Sequence, residues 1–441
     1  MVNAAAETIR APLGTGNRSE NWSLPRLLGF RFTFVYFLLY LPPAVTWLIP
    51  SLGWLESAYN AVAYPSVAWA ARHVFRWPHP ITNFNHGGDR TYNYFEILVI
   101  ALIAAVACAV WSLADPVRRS HPRLHSLLRV IVRYSLAFNL LEYGFSKMFK
   151  VQFPFPLLDR LLEPYGQSSP MGLLWTFMGY STAYNVCAGA VEVIGAALLF
   201  WKRTTLVGSL IAIAALTNVV ILNFTYDVPV KLYSVHLLVL AIYLLLPDFK
   251  RLCSVLLLDR YIASPVANQQ KVLGIWQWRT AAGIKATLIC AVSVSIIHQY
   301  FQISRSFHKP ISPRFGIYEV ESFVEGGKAR AAEFGDSVRW RRVIVNENGT
   351  LSVQTMDDEV VQWRTTERPQ QRLFELSGTI YPQDPGRKAV LQYSEPEPEQ
   401  MVLEGVYDGR AIQTRIRRTQ LPPFVLLNRG FHWINEHHYN R

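Results

Sequence analysis

The chain has 441 residues, 51% of which are hydrophobic, and it carries a formal net charge of +12. That hydrophobic fraction is high for a soluble protein, and the apolar residues lie in long runs, as in membrane proteins. Residues 315–441 hold 16 Lys/Arg and 18 Asp/Glu, so the positive charge belongs to the rest of the chain, where it flanks apolar runs and does not indicate nucleic-acid binding.

Residues 1–27 are polar and lack the apolar segment of a signal peptide, so we predict a cytoplasmic tail. Residues 28–303 are predicted to form an α-helical bundle, because their apolar runs are long enough, or nearly so, to cross a bilayer. We predict seven spans, at 32–55, 97–114, 124–149, 183–201, 204–226, 230–247 and 286–303.

The loops predict the orientation of the bundle. The N-terminal tail and the loops on its side hold 14 basic residues, whereas the alternating loops hold six. The positive-inside rule therefore places the N-terminus in the cytoplasm and the C-terminus outside a cell (inner) membrane. An odd number of spans agrees with this multi-pass arrangement, in which the lipid bilayer is the first predicted partner.

After a linker at 304–314 that contains KPISPR, the pattern changes to alternating polar and apolar residues. Segments such as VRWRRVIVN (338–346) and AIQTRIRR (411–418) are typical of strands, and Asn-Gly and Asp-Gly pairs predict hairpin turns. We predict an extracytoplasmic antiparallel barrel or sandwich over 315–441, which either holds a ligand, binds a protein partner or is packed solid. The aromatic residues of the terminal RGFHWINEHHYNR are expected to plug or cap the barrel.

The third span has one polar face. At 100° per residue, the polar side chains of this span lie within about one half of the helix circumference; they are Arg133, Ser135, Asn139, Glu142, Tyr143, Ser146 and Lys147. Charged groups at membrane depth are costly and usually line a protein interior. We therefore expect this face to look into the bundle.

Two interpretations of these charges are open. In the first, Glu142 and Lys147 are a buried acid and amine poised for proton transfer, with Asn139 and Tyr143 as ligand-binding neighbours. In the second, a Glu–Lys or Glu–Arg pair pins helices together while Lys147 extends toward the interface. Glu192, in the middle of the fourth span, is either a further catalytic group or the partner of Arg133.

The connection between the fifth and sixth spans is also polar. Asn218 precedes it, Asp227 and Lys231 are four residues apart within it, and His236 lies one to two turns deeper. These groups are candidates for binding a polar headgroup. The alternative is a structured loop with an Asp–Lys ion pair at the interface.

The first outer loop contains NHGGDRTYNY (85–94). Its paired glycines allow a tight turn, which would bring Asp89 and Arg90 over the mouth of the bundle.

These motifs resemble the DoxX-like superfamily of helical-bundle membrane proteins. The matching residues span 93–252 and include LEYGFSKMF (141–149), with a Gly-x-x-Lys core, and a Glu–Gly helix around Glu192 that is followed by a basic turn. The 315–441 segment resembles the tails of bacterial members. The resemblance implies a quinone or lipid-like ligand, because the superfamily includes a membrane subunit of thiosulfate:quinone oxidoreductase.

The superfamily also includes the HTTM domain of vitamin K-dependent γ-carboxylase, in which a similar helix supplies a lysine base that acts on the quinol. On that pattern Tyr143, Gly144 and Lys147 are the matching positions. The chain is far shorter than the carboxylase, and the resemblance does not extend to the rest of that machinery.

The sequence does not contain the binding motifs of several other cofactor classes. The sequence has no dinucleotide fingerprint, haem motif or P-loop. Its four cysteines form no Cys-x-x-Cys pair, which argues against thiol–disulfide chemistry and against a metal site.

Three functions follow as hypotheses. The first is a membrane protein that binds a quinone or lipid-like molecule in a polar intramembrane pocket, as a redox-associated or accessory subunit. The alternatives are an interaction or assembly protein that acts through its outer β domain, and γ-carboxylase-like lysine-base chemistry on a quinol.

Overall fold

The computed structural model describes residues 21–46, 53–84, 88–258, 275–307, 312–381, 384–437 and 439. Most of the predicted cytoplasmic tail, part of the glycine turn in the first outer loop, and His438 lie outside these residues. Contacts group the chain into two compact units: the helical unit, residues 1–145 and 188–296, and the barrel unit, residues 146–187 and 297–441. Residues 146–187, which the sequence boundaries assign to the bundle, are therefore grouped with the barrel.

Eleven helices precede the barrel in the described residues. They are α1 (Leu24–Thr46), α2 (Gly53–His73), α3 (Thr91–Ala114), α4 (Pro122–Met148), α5 (Leu158–Leu162), α6 (Pro170–Tyr180), α7 (Thr182–Leu199), α8 (Thr205–Thr225), α9 (Lys231–Leu245), α10 (Phe249–Leu256) and α11 (Ile275–Phe307). Seven segments within them are long and apolar enough to cross a membrane, with α9 and α10 contributing one together. The predicted multi-pass helical bundle is confirmed.

The first predicted span, 32–55, is misplaced. Helix α1 begins at Leu24 and ends at Thr46. It starts before the predicted span because Arg31, the charged residue that precedes the apolar run, lies inside the helix. Its side chain is only 2% exposed, donates to the Asp115 carbonyl at 2.9 Å and lies 5.5 Å from the ring of Trp111. These contacts replace much of the hydration that burial removes. The length of a charge-free run therefore underestimates the length of the helix.

Helix α2 was not predicted. Its segment contains Glu56 and an internal Pro65, and neither fits the pattern of a long apolar helix. The helix buries Val67 and Ala71 against Tyr92 and Phe95 of α3. Tertiary packing therefore stabilises a helix that the local sequence disfavours.

The barrel has an antiparallel order that follows the sequence. Its strands are β1 (Gly316–Glu325), β2 (Lys328–Ala329), β3 (Trp340–Val345), β4 (Thr350–Thr355), β5 (Val360–Arg368), β6 (Leu373–Tyr381), β7 (Asp384–Glu397), β8 (Gln400–Tyr407) and β9 (Arg410–Thr419), and the short helix α12 (Val425–Asn428) follows them. Pairing of β1 with β9 closes eight strands, while β2 only adds two residues to one end of β1. The predicted all-β barrel is confirmed.

The interior of the barrel is filled by its own side chains. Trp340 and Trp363 are fully buried, and both rings lie edge-on to the ring of Tyr407, at 4.9 Å and 5.3 Å. The indole of Trp363 donates to the Tyr407 hydroxyl at 3.1 Å, and burial raises the pKa of Tyr407 to about 12. Of the alternatives open from the sequence, this favours a packed barrel over a ligand-holding one.

Candidate functional site

In the helical unit, Asn139 joins the polar face of α4 to α9. Its side chain is fully buried, and its amide nitrogen donates to the Ser135 carbonyl at 2.8 Å. Its amide oxygen accepts a hydrogen bond from the hydroxyl of Tyr233, whose ring lies 6.2 Å from the ring of Tyr143. The structure thus brings two predicted residues, Asn139 and Tyr143, together with a tyrosine that the sequence analysis did not select.

A second set of contacts lies around His236 on α9. Its Nδ1 is 2.7 Å from the Leu232 carbonyl, which can only accept, so Nδ1 carries a proton. In the neutral ring Nε2 then accepts from the hydroxyl of Tyr36 on α1, at 2.7 Å. The ring of Tyr40, one turn further along α1, stacks on the imidazole at 4.3 Å. The predicted ligand-binding histidine is therefore part of a Tyr–His–Tyr cluster between α1 and α9.

Two buried carboxylates lie on α4 and α7. Glu142 is 7% exposed and Glu192 is 4% exposed, and both lie within electrostatic range of Tyr143. Their helices approach closely at Gly144, where an added Cβ would lie 2.8 Å from the carbonyl oxygen of Gly189. The glycine of the Gly-x-x-Lys core thus permits the packing that brings both acids to one interior.

Lys147 lies in the last turn of α4, five residues beyond Glu142, and falls in the barrel unit. It is only 6% exposed. Burial of an ammonium group is unfavourable unless charges or hydrogen bonds compensate it. The structure thus places this side chain in a buried environment.

Two further predicted residues, Arg133 and Asn218, lie on α4 and α8. Arg133 is 3.5 Å from the hydroxyl of Thr205 on α8, and its guanidinium is 5.1 Å from the ring of Tyr134. Asn218 is exposed on α8. Neither position supplies a group to the Asn139 or His236 contacts.

The polar connection before α9 is a structured loop. The Lys231 ammonium is 2.7 Å from Asp227, which is 84% exposed. Asp89 accepts hydrogen bonds from the backbone N–H groups of Lys231 and Leu232, at 2.8 Å and 2.9 Å, and so caps the start of α9. These contacts match the ion-pair interpretation of Asp227 and Lys231, and they give Asp89 a structural role.

Sequence reasoning missed Glu96 on α3. Its carboxylate accepts from the Tyr92 hydroxyl at 3.1 Å and from the Tyr59 hydroxyl at 3.5 Å. It also lies within electrostatic range of Tyr36 and Tyr40. The sequence feature that indicates this contact is the four-residue spacing of Tyr92 and Glu96, which places both on one helix face.

A second buried carboxylate lies in the barrel unit. Asp159, on α5, accepts hydrogen bonds from Ser352 at 2.7 Å, from the Gln362 amide at 2.9 Å and from Asn346 at 3.4 Å. The neighbouring Leu158 packs against Ile317 and Ile344. Helix α5 therefore closes the end of the barrel at which β1 begins and β3 ends, and we call this the entry end.

Within the ranges that the structure describes, no group of three or more His, Cys, Asp or Glu side chains is arranged to hold a metal ion. His432 and His437 are exposed.

Together, seven candidate membrane-spanning helices and a closed eight-stranded barrel define a multi-pass membrane protein with a C-terminal β domain. The chain is similar to the uncharacterized protein YwoB of Bacillus subtilis (strain 168), with 32% identity over 119 residues, which are 27% of this chain and 75% of YwoB. The chain therefore belongs to the family of that Bacillus protein. No protein-family model matches the chain, and no solved structure matches it.

Proposed function

We propose that the helical unit binds an isoprenoid quinone or a similar lipid-like molecule, which has an apolar tail and a hydrogen-bonding headgroup. One observation carries this proposal. Phenol, amide and imidazole groups from α1, α4 and α9 form two hydrogen-bonded pairs inside candidate membrane-spanning segments, Tyr36–His236 and Tyr233–Asn139. A quinone headgroup can replace these internal acceptors, with its carbonyl or hydroxyl oxygens accepting from the phenol or imidazole groups, while the surrounding apolar helices suit its tail.

The buried acids suggest the chemistry of this site. Reduction or oxidation of a quinone moves protons together with electrons, and Glu142 and Glu192 are groups that can accept or release a proton beside Tyr143. The DoxX-like resemblance supports the same ligand class and selects Lys147 as the base on a quinol. We propose these roles for the three residues.

Small molecules retained by the purified protein test the proposal. Mass spectrometry of wild type should detect an isoprenoid quinone or a lipid-like molecule, and Lys147→Ala or Tyr233→Phe should reduce its amount about tenfold, as the loss of one strong hydrogen bond would. Tyr233→Phe keeps the ring and removes only the hydroxyl, so it separates binding from packing.

The matched control is Lys202→Ala, at an exposed lysine between α7 and α8. It should retain the wild-type amount of ligand. Equal retention by all four proteins, or no retained molecule in wild type, would contradict the proposal.

A further inference from the structure

The C-terminal segment, residues 421–439, exposes large apolar side chains instead of placing them in the barrel. Trp433 is 91% exposed, Phe431 is 78% exposed and Ile434 is 77% exposed. The expectation that the terminal aromatics plug or cap the barrel is therefore wrong for these residues, because the barrel interior is already filled. Further exposed apolar residues of the segment are Leu421, Val425, Leu426, Leu427 and Tyr439.

One residue fixes where this segment begins on the barrel. Phe424 packs against the cluster of Leu158, Ile317 and Ile344, and so lies at the entry end, beside α5. The exposed apolar side chains follow it within a few residues. The C-terminal segment therefore starts at the same end of the barrel as the Asp159 contacts.

The entry end is also where the barrel is connected to membrane-spanning segments. Strand β1 begins nine residues after α11 ends at Phe307, and α5 begins ten residues after α4 ends at Met148. Chains of this length reach at most about 35 Å when fully extended. Two short connections from candidate spans thus lead into the entry end.

We propose that the C-terminal segment is an interfacial anchor that inserts Phe431, Trp433 and Ile434 into the headgroup region of the bilayer. Tryptophan and other aromatic side chains favour this region, where the ring is partly dehydrated and polar atoms still reach water. The rings of Phe431 and Trp433 are in edge contact at 5.2 Å, which gives them one common apolar surface. The nearby Arg429 guanidinium, 4.2 Å from the ring of Tyr439, supplies a positive charge for lipid phosphates.

Spin-label accessibility in the full-length protein tests this anchor. Cys108, Cys187, Cys253 and Cys290 are first replaced, and the resulting protein is compared with wild type by thermal unfolding. Trp433→Cys is then labelled with a nitroxide and reconstituted into vesicles of phosphatidylcholine and phosphatidylglycerol. Phe431→Cys is a second labelling position in case the first variant folds poorly.

The matched control is Phe334→Cys. Phe334 is 84% exposed and lies in the connection between β2 and β3, at the end of the barrel opposite the entry end. We expect the label at position 433 to be accessible to oxygen and shielded from a water-soluble nickel complex, and the label at 334 to be readily accessible to the nickel complex. Equal access of the nickel complex to both positions would overturn the proposal. Shielding of position 433 from both reagents would overturn it as well, since that result indicates burial against protein.

Discussion

Gly144→Ala is expected to destabilise the helical unit by about 3 kcal/mol, the upper range for overpacking a buried contact. The added Cβ would lie 2.7 Å from Cγ2 of Val193, 2.8 Å from the Gly189 carbonyl oxygen and 3.2 Å from the Val193 nitrogen. Two of these atoms belong to the backbone of α7, so no side-chain rotation relieves the contact. Helices α4 and α7 would have to separate at the turns that carry Glu142 and Glu192.

The control is Gly283→Ala, on α11 of the same unit, where an added Cβ meets nothing within 4 Å. Because alanine is the better helix former, this variant should be neutral or gain up to about 1 kcal/mol. Thermal unfolding in detergent measures both variants. Equal midpoints for the two would show that the close approach at Gly144 is not required.

Asp159→Ala is expected to destabilise the barrel unit by about 4 kcal/mol, because it leaves several buried hydrogen-bond donors without their acceptor. Ser352, Gln362 and Asn346 all donate to this carboxylate, and all three are buried. Leu158 and α5 would lose their fixed position at the entry end. Near-ultraviolet circular dichroism, which reports on the buried Trp340 and Trp363, follows the loss of the barrel structure during chemical unfolding.

Glu397→Gln is the matched control for Asp159. Glu397 is 60% exposed and lies 3.6 Å from Arg417, an exposed ion pair of the same unit. Such pairs contribute at most about 1 kcal/mol, so the unfolding midpoint should hardly move. If Asp159→Ala unfolds at the same denaturant concentration as Glu397→Gln, the buried carboxylate does not hold α5 to the barrel.

Much of the fold was predictable because hydrophobic pattern is a local property. Alternation of polar and apolar residues predicted the strands, and β1–β9 pairing follows once an all-antiparallel sheet closes. The errors arise where tertiary contacts lower the free-energy cost of placing a charged residue or a proline in a helix. Arg31 is tolerated in α1 because it donates a hydrogen bond to the Asp115 carbonyl and contacts the ring of Trp111. Helix α2 forms despite Pro65 because its apolar residues pack against α3.

Helical periodicity predicted which face of α4 carries the candidate site, but it did not predict which side chains contact that face. Helical periodicity placed Asn139, Glu142 and Tyr143 on one side of α4, and the structure buries Asn139 and Glu142. The side chains that meet this face, such as Tyr233, come from distant parts of the chain, and spacing within one helix does not reveal them. Asp159 was missed for the same reason, since its donors lie 187 to 203 residues away.

Photocrosslinking tests most directly whether the polar cluster of the helical unit binds a quinone. The full-length protein in lipid vesicles is irradiated with a photoreactive isoprenoid-quinone analogue, and the modified peptides are identified by mass spectrometry. We predict that modification concentrates on α4 and α9, around Asn139, Tyr143 and Tyr233, and is suppressed by unlabelled quinone. Modification confined to exposed positions such as Leu102 and Val106 on α3, and unaffected by the competitor, would contradict the proposed site.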